Sequence, residues 1–118
     1  MIRVNAYVKK SIQRVALRHR YALCPNGSGG LCGMVSSKIV EDLRRRGIRC
    51  QEKRGHFMGE CSGENENYDW DDEYDHAWVD IDGEILDATA DQFNKDLPEI
   101  WYPANKKCYR EGLYQPTG

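Results

Sequence analysis

The stretch HAWVDIDGEILDAT, residues 76–89, restricts the fold more than any other part of this 118-residue chain. At its centre stands Asp82-Gly83, a dipeptide suited to the two positive φ angles of a type I′ turn, which joins two strands with the twist a hairpin needs. The flanks predict strands over 76–81 and 84–89. In that register Ile81 faces Glu84, Trp78 faces Asp87 and His76 faces Thr89. Side chains alternate along a strand, so His76, Trp78, Ile85, Asp87 and Thr89 share one face, while Ala77, Val79, Ile81, Leu86 and Ala88 share the other. The second set is wholly apolar and marks the core side. His76 and Asp87 become diagonal neighbours, with α-carbons roughly 7–8 Å apart, a gap two side chains can bridge.

Upstream the apolar period changes from two to between three and four. Val4, Val8, Ile12, Val15 and His19 form one stripe, with cations between them, and predict a helix over about 4–22. CPNGSGG then breaks the helix. Met34, Val35, Ile39, Val40 and Leu43 form a second stripe, predicting a helix from Cys32 to Arg46 with Gly47 as its C-cap. IRCQEKRGHFMG reads as an edge or half-exposed strand. Residues 59–75 carry eight carboxylates and almost no aliphatic side chain, which reads as a solvated, mobile lid. The aromatic-rich segment after Asp91 is expected to wrap over the sheet and cover an edge. Helices followed by an antiparallel sheet make an α+β fold, and the length suits one domain over 1–118.

Charge is divided along the chain. Residues 1–58 hold 13 basic and 3 acidic side chains, and residues 59–118 hold 4 basic and 16 acidic ones. The halves complement each other within one fold, so the basic half argues little for nucleic acid. No apolar run approaches the roughly 18 residues of a membrane span, and the cation-broken N-terminal stretch does not read as a signal peptide. The expected compartment is a reducing cytoplasm, where Cys24, Cys32, Cys50, Cys61 and Cys108 are thiols.

Among the five, Cys32 stands apart. GGLCGM places it between a glycine-rich loop and the first turn of a helix, whose positive end favours thiolate over thiol. Gly30 and Gly33 leave room for a substrate carbonyl. Cys50 and Cys108 read as small buried thiols, Cys24 precedes a proline and Cys61 lies in the acidic segment. If His76 approaches Cys32, with Asp87 on its other ring nitrogen, the three make a nucleophile, a base and an orienting carboxylate.

Cys32 at a helix start, HAWV on a strand and ILDAT on the next strand together resemble the transglutaminase-like branch of the papain-like cysteine enzymes, over about residues 28–93. The resemblance implies a core in which a cysteine-bearing helix packs on an antiparallel sheet carrying histidine and aspartate. It further implies Cys32 as nucleophile, His76 as general base and acid, and Asp87 as orienter, with Trp78 and Thr89 flanking them. Asn26 stands where a helper amide would lie for the oxyanion, and Tyr21 is a second option. The expected activity is acyl transfer through a Cys32 acyl-enzyme, as in a peptidase, an amidase or deamidase, or a transferase. A peptide or protein is the expected substrate, with no cofactor and no metal.

Two other classes remain. A binding module on the same fold would use the charge separation to dock a basic partner. A zinc site would draw on Cys24, Cys32, Cys50, Cys61, His56 and His76, but no CxxC or HxxxH spacing supports it. DWDDEYD lacks the glycine and glutamate positions that define a calcium-binding EF-hand loop.

Overall fold

The computed structural model describes residues 4–25 and 32–112. Helix α1 spans Ala6–Leu23 and helix α2 spans Cys32–Arg45. Strands β1 (Gln51–Met58), β2 (Glu73–Ile81), β3 (Glu84–Leu86) and β4 (Tyr109–Glu111) form one antiparallel sheet in the order β3-β2-β1-β4. The fold is α+β.

Local chemistry accounts for the helix ends. Asn5 caps α1 by accepting from the Val8 N–H at 2.9 Å, and Gly47 follows α2 at φ 81°. The hairpin turn is as expected: Asp82 and Gly83 have φ of 54° and 83°, and Ile81 pairs with Glu84, Asp80 with Ile85 and Val79 with Leu86. There the ladder stops. The chain leaves β2 after Leu86, and Asp87 exchanges both backbone hydrogen bonds with Trp101 at 2.9 and 2.8 Å. The expected strand over 84–89 is therefore three residues long, and Thr89 does not pair with His76 nor Trp78 with Asp87.

Burial organises the molecule in three layers. Ile12, Val15 and Ala16 of α1 and Val35, Ile39, Val40 and Leu43 of α2 pack on Val79, Ile81, Leu86 and Ala88. Met34, one position off that stripe, is exposed. The opposite face is also covered, by the aromatic C-terminal segment. Phe57 stacks on Phe93 at 4.4 Å beside Ala90 and Cys108, and Trp78 packs with Ile85 and Ala104. β1 is thus an interior strand rather than an edge, because β4 pairs with it over residues 55–57.

The acidic segment is pinned, not a free lid. Gly59 N donates to Asp72 O, Asn65 Nδ2 to Phe93 O, and Asn94 Nδ2 to Cys61 O. Tyr68 packs edge-on against Tyr74 and Phe93. Cys61 and Cys108 are joined as a disulfide, so two of the expected thiols are paired, while Cys24, Cys32 and Cys50 are free.

The two oppositely charged halves meet as ion pairs. Lys9 reaches Glu84 at 3.2 Å and Lys53 reaches Glu111 at 2.9 Å. The most buried of these is Arg20, on α1. Its guanidinium is bidentate to Asp91 at 2.8 and 2.6 Å, and it also donates to the carbonyls of Ala88 and Glu99. His19, at the boundary of the α1 stripe, bonds Asp42 at 2.8 Å and ties α1 to α2.

Arg20 therefore holds α1 against the segment that follows β3. Arg20→Met keeps the stem but removes the guanidinium from Asp91 and from two carbonyls, and should destabilise the fold by about 3 kcal/mol. Urea unfolding of the two proteins measures this, and a difference below about 1 kcal/mol would place the anchor elsewhere.

Candidate active site

Where β3 departs, the side of β2 beyond Val79 is left without a β3 partner. Cys32, the first residue of α2, reaches that opening. The Ala77 backbone N–H and the His76 ring both act on its sulfur. Cys32 is half-buried, whereas the His76 side chain is fully enclosed.

His76 Nε2 donates to Asp87 Oδ2 at 2.6 Å, and neither side chain is more than 1% exposed. The diagonal approach expected from the hairpin is therefore realised, although Asp87 stands beyond the last ladder pair. The other ring nitrogen, Nδ1, has no full hydrogen bond among the described residues, and the Cys32 thiol is the polar group coupled to the ring. Asp87 has further donors. Thr89 N and Oγ1 both reach Oδ1, at 2.9 and 3.3 Å, and Tyr109 Oη donates to Oδ2 at 2.6 Å.

These contacts set the charges. Burial on its own would raise the Cys32 thiol, but His76 and the Ala77 N–H outweigh it and hold the thiol below its ordinary value. Burial likewise opposes the charged form of His76, yet the facing carboxylate and the neighbouring sulfur push it up to about 9. Asp87 is held below its ordinary value despite complete burial, because His76, Tyr109 and the Thr89 N–H stabilise its charge. Each of the three groups is thus shifted toward its charged form: thiolate, imidazolium and carboxylate. Cys24 and Cys50 are pushed the other way, chiefly by burial, and remain thiols.

The flanking candidates fall out differently. Trp78 and Thr89 are 3% and 1% exposed, so neither faces a substrate. Trp78 packs on Tyr109 at 5.0 Å, and Thr89 serves the carboxylate from behind. The space beside Gly33 is not open: a Cβ there would lie 3.2 Å from the Arg54 guanidinium. Arg54, on β1, is the cation that sequence reasoning overlooked. Asn26 lies outside the described residues, and the Tyr21 hydroxyl is taken by Glu99 at 2.5 Å. His56 pairs with Asp75 at 3.2 Å. Tyr109 was also missed. Its only signal was an aromatic in a segment expected to cover the sheet.

Among the described residues no three His, Cys, Asp or Glu side chains are gathered as a metal site, and no helix is long and apolar enough to cross a membrane. Comparison with models of known families, with curated proteins and with solved structures finds no match to this chain.

The two pKa shifts have opposite linkage signs. His76, raised, stabilises the fold fully below its unfolded value of 6.5, and that contribution is lost as pH rises through about 9. Cys32, lowered, contributes fully above its unfolded value and loses that contribution as pH falls through its folded one. Over the range the two groups share, the slopes oppose each other. In Cys32→Ser the His76 slope stands alone. Relative to wild type, its unfolding free energy should fall as pH rises from about 6 to about 9, as read by urea titrations. Parallel curves would exclude the coupling.

Proposed function

We propose that this chain is a cysteine-dependent acyl-transfer enzyme that works through a thioester on Cys32. The observation that carries the reading is a half-buried thiol at a helix start coupled to an enclosed imidazole, whose far nitrogen is bonded to a buried carboxylate at 2.6 Å. A cysteine-bearing helix set on an antiparallel sheet that carries the histidine, with the aspartate one residue past the end of β3, supports the transglutaminase-like, papain-like reading of the core.

The chemistry follows from the charges. The Cys32 thiolate attacks a substrate carbonyl, forming a carbon–sulfur bond and moving the carbonyl electron pair onto oxygen. As that pair returns, the bond to the leaving amine breaks and the His76 imidazolium gives the amine its proton. A water or a second amine then attacks the thioester, with His76 taking its proton, and the thiolate is released. Asp87 keeps Nε2 aimed throughout and stabilises each imidazolium. N–H groups at the start of α2 are the positive end that faces the thiol, and the Arg54 guanidinium, paired with Glu52 at 2.7 Å, lies beside Gly33, the next residue. Peptidase, amidase or deamidase, and transferase use the same steps, and a peptide or protein amide is the substrate class this site suits. No step calls for a cofactor.

The binding-module reading loses some ground because part of the charge complementarity that motivated it is used inside the fold, as at Arg20, Lys9 and Lys53. The cytoplasmic reading and the Cys61–Cys108 disulfide pull in opposite directions, since a reducing cytoplasm keeps thiols unpaired.

An electrophile that mimics an amide should attach to Cys32 and leave Cys24 and Cys50 unmodified, as mapped by peptide mass spectrometry. His76→Ala should abolish the labelling, and Asp87→Asn should slow it on the order of 10²–10⁴-fold. Equal labelling of all free cysteines in the folded protein would sink the proposal.

A further inference from the structure

A phenol shares the Asp87 carboxylate with His76. Tyr109 Oη donates to Asp87 Oδ2 at 2.6 Å, the same oxygen that accepts from His76 Nε2 at 2.6 Å. The Tyr109 ring lies 6.2 Å from the imidazole at an interplanar angle of 28°, and packs against Phe57 at 5.4 Å and Trp78 at 5.0 Å. Oδ2 is thus shared between the base of the proposed reaction and a group that takes no part in it.

The segment that delivers Tyr109 is short. β4 has three residues and pairs only with residues 55–57 of β1, too little ladder to hold its position by backbone bonds alone. Two features draw it in. Gly55 permits the close approach, since a Cβ there would come within 2.2 Å of the Arg110 carbonyl oxygen. The residue just before Tyr109 is Cys108, bonded to Cys61 at the end of the turn that follows β1.

We propose that Tyr109 is a positioning residue for the His76–Asp87 pair and that the Cys61–Cys108 disulfide is the anchor that keeps its hydroxyl on the carboxylate. The proposal rests on the acyl-transfer reading for its use, but its test does not require turnover. A hydroxyl on Oδ2 stops the carboxylate from rotating, so Nε2 has one aim. It also takes up part of the oxygen's negative charge. Against a carboxylate stripped of that donor, His76 would hold its proton more tightly and give it less readily to a leaving group.

The three histidines permit a direct measurement. Ring resonances of His19, His56 and His76 are followed by nuclear magnetic resonance across the pH range in the full chain. In Tyr109→Phe, which keeps the ring and its packing, the His76 midpoint should move upward by about one pH unit while His19 and His56 stay in place. Loss of packing alone would lower the melting temperature without that selective rise. A His76 midpoint that stays or falls overturns the positioning role.

Cys61→Ala/Cys108→Ala tests the anchor. It should raise the His76 midpoint in the same direction, and adding it to Tyr109→Phe should move the midpoint no further, as expected of two changes acting through one contact. A folded alanine pair with the wild-type midpoint overturns the anchor. If the alanine pair does not fold, the wild-type disulfide is reduced with a water-soluble phosphine, which yields two thiols and the phosphine oxide, and the midpoint is read again. Unfolding in both arms also overturns the anchor, because the bond then supports the whole fold and not Tyr109. Failure of Cys32 labelling in wild type would remove the acyl-transfer reading while leaving the titration result standing.

Discussion

Asp87 is the constraint around which the molecule is arranged. A carboxylate sealed from water costs several kcal/mol unless its charge is met by donors. Here His76 Nε2 and Tyr109 Oη meet Oδ2, and the Thr89 N–H and hydroxyl meet Oδ1. Its backbone is fixed as well, by the exchange of hydrogen bonds with Trp101. Three separate parts of the chain converge on one side chain. None of them can shift without leaving a buried charge short of a partner.

The same residue explains why the hairpin ends early. An ideal hairpin would continue the ladder through Asp87 and Thr89 and cover the edge of β2. Instead the chain turns away after Leu86, which shortens the sheet but frees Asp87 to bond Trp101 and Thr89 to turn back onto its carboxylate. The uncovered edge of β2 then admits the start of α2, and the Ala77 N–H, with no β3 partner, acts on the Cys32 sulfur. Backbone hydrogen bonding lost to the ladder is replaced by the Trp101 bridge and by the Ala104 N–H, which donates to Ile85 O. Elements that look irregular in the sheet are those that assemble the site.

What could be read from the sequence follows from how local each signal is. The turn register rests on two adjacent residues, and Asp82-Gly83 placed Ile81 against Glu84 and His76 near Asp87 without tertiary information. Helix faces were legible for the same reason, because Ile12, Val15, Ile39 and Leu43 repeat at the helical period. The end of β3 was not legible. It depends on Trp101, which is brought to Asp87 only by the folded C-terminal segment. Tyr109, Arg54 and the Cys61–Cys108 bond belong to the same category of long-range contact. The acidic segment misled because its carboxylates disclose solvent exposure and conceal Tyr68, Tyr74 and Cys61, the side chains that pin it down.

The thiol's activation is accordingly a property of the complete fold. A helix start alone offers Cys32 a modest preference for thiolate, and burial works against it. The excess that tips the balance comes from His76 and Ala77, which reach the sulfur only when α2 has docked on the open edge of β2. That docking in turn depends on the apolar layer between helices and sheet, and on Arg20, which locks α1 to the segment just past β3. Charge asymmetry along the chain contributes here, since a basic first half and an acidic second half favour bringing the helices onto the strands. An exposed Cys32 in an unfolded chain would be an ordinary thiol. Its pKa is lowered when the carboxylate, the imidazole and the sulfur are brought together by parts of the chain that meet only in the native state.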